Sequence, residues 1–106
     1  MDRDRARTQI VPMTVSIGKL DFDRVRYDAE GDVLYLHRAD PKEAVDFDES
    51  PEGHHLRFNA SGELIGVTIL NAKWLLDHEG KIVLTLPERV EVGPEALNDA
   101  LAAASS

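Results

Sequence analysis

Two short loops constrain this chain more than any other feature. Asp28-Ala29-Glu30-Gly31 separates the alternating segment Phe22 to Tyr27 from the aliphatic segment Val33 to Arg38, and Asn59-Ala60-Ser61-Gly62 separates His54 to Phe58 from Glu63 to Leu70. Each places a small acid or amide three residues before a glycine, followed by a charged residue and an aliphatic run. Asp and Asn side chains bond to the backbone of their own turn, and a closing glycine enters the left-handed region without steric cost. Loops of this kind join neighbouring antiparallel strands. The first is expected to be a type I turn with Gly31 in the left-handed conformation.

The flanking segments carry the matching period. Val25 and Tyr27 alternate with Arg24 and Arg26, and His54, Leu56 and Phe58 alternate with His55 and Arg57, as half-buried strands do. Between Glu63 and Leu70 the apolar residues fall on both sides (Ile65, Val67 and Ile69 against Leu64 and Leu70), which predicts a central strand covered twice. Gly66 leaves a gap there, into which a bulky neighbour or a backbone is expected to reach. Residues 39–53 form a long acidic connection with Pro41, Pro51 and Gly53, and a short edge strand is expected at Ala44 to Phe47.

At the ends the pattern is simpler. Residues 1–12 show no apolar period and are expected to be a flexible arm, with strand pairing from about Met13 through Val15 and Ile17. Asn71 to Gly80 supports two readings: a short helix with Asn71 as N-cap and Gly80 as stop, or a third hairpin around Asp77-His78-Glu79-Gly80. The helix is preferred. Lys81 to Leu86 is a strand ended by Pro87, and Pro94 opens a C-terminal helix over 94–103 carrying Leu97 and Leu101. The expected fold class is α+β: an antiparallel β-sheet of four to six hairpin-connected strands with one or two short helices, in one domain spanning 13–106.

Charge and composition exclude several function classes. With 42% apolar and 30% charged residues, the chain has the composition of an ordinary globular domain. Its formal charge is −8, and after Arg3, Arg5 and Arg7 no local run of Lys or Arg occurs, so the core is not expected to bind nucleic acid. Cysteine is absent, which removes disulfides and thiolate chemistry and suits a cytoplasmic location. No apolar run approaches the roughly 20 residues that cross a bilayer.

No motif carries a reaction. The acids Asp28, Glu30 and Asp32 are too closely spaced for a calcium loop, because glycine comes too early and Val33 opens a strand. His54 and His55 are adjacent on a strand and point to opposite faces, while His37 and His78 stand alone, so no metal site and no cofactor is expected. Ser16, Ser50 and Ser61 lie in no nucleophile motif, and Asp46, Asp48, Glu49 and Glu52 form a solvated charge run with no apolar setting to raise a pKa. Catalytic residues are therefore not assigned, and the chain is read as a non-enzyme. Trp74 and Leu75, with Leu97 and Leu101, offer more apolar surface than a small core needs and are the interface candidates.

Tyr27-Asp28-x-Glu30-x-Asp32-x-Leu34-Tyr35, followed by Gly62-Glu63-Leu64-Ile65-Gly66-Val67-x-Ile69-Leu70, resembles the domain of unknown function 2283 family of small bacterial proteins, over roughly residues 22–76. The signature residues would be Tyr27, Asp28, Asp32, Tyr35, Gly62 and Gly66. The resemblance implies no catalytic activity; it suggests an accessory or antitoxin-like role. The leading expectation is a non-catalytic protein-interaction module, as a homodimer or with a protein partner. The alternative is a module for a small ligand or metal, using a pocket near Gly66, Tyr27 and His54.

Overall fold

A computed structural model describes residues 14–86 and 89–103; the proposed arm, residues 1–12, lies outside them. The described residues hold, in order, β1 (Val15–Ile17), β2 (Leu20–Phe22), β3 (Arg24–Asp28), β4 (Val33–His37), β5 (Asp46–Glu49), β6 (His55–Phe58), β7 (Leu64–Leu70), α1 (Ala72–Glu79), β8 (Ile82–Thr85), β9 (Arg89–Val92) and α2 (Pro94–Ala103). The fold is α+β, as the loop and strand patterns require. The principal sheet has five antiparallel strands in the order β3-β4-β7-β6-β5, and β1-β2 and β8-β9 are separate hairpins. None of the described helices is long and apolar enough to cross a membrane.

Register explains which face is buried. Val25, Leu36, Val67 and Leu56 form one row across four strands, and Tyr27, Leu34 and Ile69 form another on the same side. Over these rows lie α1, α2 and the two small hairpins, which contribute Ile17, Phe22, Leu76, Leu84, Val92 and Leu97 to a single apolar cluster. At about 25 cal/mol per Å² of apolar surface removed from water, this one-sided core is the main source of stability. The opposite face has no covering layer among the described residues. There β7 is buried by side chains of its own sheet: a Cβ on Gly66 would stand 2.9 Å from His37 Cδ2 and 3.3 Å from Arg57 Cβ. β7 is thus the central strand expected, buried on both sides from Leu64 to Ile69, and the bulky neighbour expected over Gly66 is His37.

Four local expectations change. The left-handed residue of the first loop is Asp32 (φ 55°), not Gly31, because the Asp32 carboxylate and carbonyl are held by the start of α1. Asn71 occupies the N-cap position of α1, but its own backbone is left-handed (φ 58°) and its side chain makes no capping bond. The edge strand β5 lies two residues later than Ala44 to Phe47. Finally, β9 lies between Pro87 and Pro94, a stretch for which no strand is expected, although Val90 and Val92 alternate with Arg89 and Glu91 there. The second loop and the helix behave as expected: Gly62 has φ 83°, and Gly80 closes α1 with its N–H on the Leu76 carbonyl at 3.1 Å.

Candidate binding surface on the open sheet face

The signature residues of the first loop build a latch. From its left-handed position Asp32 turns its carboxylate onto the start of α1, where Oδ1 accepts from Lys73 N at 2.8 Å and Oδ2 from Trp74 N at 3.0 Å. Its carbonyl accepts from Ala72 N at 3.1 Å, and the Tyr27 hydroxyl donates to Oδ1 at 2.7 Å. One residue thus satisfies three of the N–H groups that a helix start leaves without partners, and places negative charge at the positive end of the helix dipole. Burial and the Asp32 carboxylate push the Tyr27 phenol far above its ordinary pKa, so its hydroxyl is a fixed donor rather than a base. In the second loop Asn59 Oδ1 accepts from Ser61 N and Glu63 N at 3.0 and 2.9 Å, which shapes the turn before Gly62. Asp28 Oδ1 accepts from Gly31 N at 3.4 Å, so Tyr27, Asp28, Asp32 and Gly62 all have structural duties.

Tyr35 and Gly66 face the other way, onto the open side of the sheet. The register sets Arg24, His37, Gly66, Arg57 and Phe47 in one row across all five strands, and Arg26, Tyr35, Thr68, His55 and Glu49 in the next. The Arg26 guanidinium lies 4.1 Å above the Tyr35 ring and that of Arg57 5.6 Å from the Phe47 ring. Phe47 keeps 66% of its surface exposed. Arg57 thereby joins Arg24 and Arg26 on one face of a chain of net charge −8, so the absence of a local Lys or Arg run does not mean the absence of a cationic surface.

His37 sits among them. Its Nε2 is buried and finds no hydrogen-bond partner among the described residues. Burial first, and then the charges of Arg57, Arg24 and Arg26, lower its pKa below the ordinary 6.5. Among the described residues no carboxylate lies within ion-pair distance of these three arginines; the ion pairs there are Lys73–Asp77, Lys81–Glu91 and Arg89–Glu91.

The remaining candidates are scattered. Of the four, Leu97 and Leu101 are buried in the core, Leu75 is half-buried, and Trp74 keeps 50% of its surface exposed. It stands on α1, in the layer across the core from the open face, stacked on His78 at 4.3 Å. Among the described residues, Tyr27 and His54 line separate clefts, neither of which includes Gly66. Tyr27 lines a cleft of about 480 Å³ between α1 and α2 with Lys73, Asp77 and Asn98, whereas His54 lines one of about 140 Å³ with Glu52, Leu75 and Glu79. His54 Nδ1 accepts from Leu70 N at 3.1 Å, which fixes its proton on Nε2. His55, its neighbour, is exposed on the open face. No group of three or more His, Asp or Glu side chains among the described residues could hold a metal ion.

A family model described as a protein of unknown function, DUF2283, matches residues 24–73. That stretch is the five-stranded sheet together with the first residues of α1. No curated protein and no solved structure matches the chain.

Proposed function

We propose that the chain, whose residues 24–73 match the DUF2283 family model and whose loop chemistry there is accounted for by the latch and the turns, is a non-catalytic protein-interaction module whose working surface is the open face of the sheet. The observation that carries this reading is the grouping of Arg24, Arg26 and Arg57 with Tyr35 and Phe47 around the unpartnered His37 Nε2. Arginine and aromatic side chains are the residue types that anchor protein contacts, and a cationic patch selects an acidic polypeptide surface.

Nucleic acid fits the same face less well. Three phosphate contacts supply little affinity at physiological salt, and the rest of the molecule repels a polyanion. The ligand-module alternative is not favoured, since, among the described residues, Tyr27 and His54 line separate clefts, neither of which includes Gly66.

The test is arginine-specific modification with phenylglyoxal, read by mass spectrometry. Poly-glutamate, or raised concentrations of the protein itself, should protect Arg24, Arg26 and Arg57, while an oligonucleotide of equal charge should not. Protection by the oligonucleotide alone would favour nucleic acid, and no protection under any condition would remove the reading.

A further inference from the structure

We infer that the occupant of this face is a second copy of the chain, packed face to face about a two-fold axis running along β7, so that each copy's Glu49 answers an arginine of the other. The inference rests on the reading of the open face as the working surface and adds the identity of its occupant.

Strand order makes the pairing self-complementary. β7 is the middle of five strands, so a two-fold axis parallel to it lays β3 over β5 of the partner subunit and β4 over its β6. Each row then meets its own reverse. In the row Arg26, Tyr35, Thr68, His55, Glu49, the guanidinium of Arg26 comes opposite Glu49 of the partner subunit, twice by symmetry, and Tyr35 comes opposite the partner's His55. In the adjacent row Arg24 comes opposite the partner's exposed Phe47, a cation over an aromatic face. A two-fold axis in the sheet plane but across the strands would instead set β3 on β3 and oppose like arginines. Charge therefore selects one orientation of the two.

Shape agrees. Along the axis the meeting residues are Gly66 and Thr68, small side chains that allow two sheets to approach to the usual spacing of about 10 Å. On β4 and β6, beside the axis, Tyr35 meets the partner's His55 and His37 meets the partner's Arg57, while Arg26 and Glu49 pair on the outer strands. Five strands at roughly 4.8 Å, over about five residues of 3.3 Å rise, give a face of about 400 Å² per copy. Some 800 Å² in total falls below the standard interface, so the dimer should be weak and concentration-dependent.

Light scattering or sedimentation over a concentration series tests this with Arg26→Glu, Glu49→Arg and the double variant, each verified as folded by circular dichroism. The wild type should dimerise, each single reversal should raise the dissociation constant about tenfold or more, and the double variant should recover dimerisation, because it restores the pair with its charges exchanged. A dimer unaffected by both single reversals overturns the inference, as does a double variant that stays monomeric. A monomeric wild type whose arginines are still protected by poly-glutamate overturns the self-pairing but leaves the sheet face as a binding surface. A monomer with no such protection removes both.

Discussion

The Asp32 carboxylate caps a helix that begins forty residues later, accepting from Lys73 N at 2.8 Å and Trp74 N at 3.0 Å. Replacing it with alanine strands those donors together with the Tyr27 hydroxyl. Loss of a cap costs about 0.5–2 kcal/mol and an unsatisfied buried hydroxyl about 1–3 kcal/mol. Asp32→Ala should therefore lower the unfolding free energy by about 2–3 kcal/mol, seen as a shifted urea midpoint at unchanged slope. Asp32→Asn, which tolerates the left-handed backbone and keeps an acceptor, should lose about half as much.

Gly66 has no room for a methyl group, since a Cβ would lie 2.9 Å from His37 Cδ2. Gly66→Ala should destabilise by about 1–3 kcal/mol, the usual range for overpacking. Shortening the obstructing side chain should relieve it, so Gly66→Ala combined with His37→Ser should be more stable than the sum of the single effects. A strictly additive double-mutant cycle would show that the strain lies elsewhere.

Acid should weaken the fold through two histidines. Burial lowers the pKa of both His54 and His37 below 6.5; at His54, Glu52 opposes the shift and His55 adds to it, with Glu79 and Lys81 in the same cleft. Below pH 6.5 the unfolded chain then binds protons that the folded chain refuses, and stability falls with pH until the folded imidazoles titrate in turn. For His54 the slope can reach about 1.4 kcal/mol per pH unit. His54→Asn keeps an acceptor for Leu70 N but cannot titrate. Urea unfolding across this range should show a flatter acid limb for the variant.

Trp74 is half exposed and is the chain's single tryptophan. Its emission should be red-shifted and readily quenched by acrylamide. Trp74→Ala should change stability by less than about 1 kcal/mol, as exposed substitutions do, and should leave any dimer built on the sheet face intact. A folded monomer produced by that substitution would move the interface to α1.

Local chemistry was readable and convergence was not. The turn residues Asn59 and Gly62, the alternation of β3 and β6, and the Gly80 stop of α1 are written in neighbouring residues. Asp32 capping α1, by contrast, joins positions no short window contains, and Asn71 looked sufficient for the task. Leu97 and Leu101 were read as surplus apolar surface because the covering layer formed by α1, α2 and the hairpins β1-β2 and β8-β9 was not foreseen; those elements seal one side of the sheet. The arginines were judged along the chain, where they are dispersed. Antiparallel registry puts Arg57 on the same sheet face as Arg24 and Arg26, with two strands between them, and only strand order reveals which rows they share. A faint clue existed, for each arginine alternates with an apolar residue and so had to stand on the side opposite the core.

The latch also sets an order of events for a chain leaving the ribosome. The hairpin β3-β4 is complete long before Lys73 and Trp74 emerge, so Asp32 must wait in a conformation its own neighbours do little to favour. Only when β7 pairs with β4 and delivers the start of α1 does the carboxylate find its donors. The sheet and the first helix should accordingly become stable together, as one cooperative unit, and a chain interrupted before residue 73 should keep its strands only loosely joined.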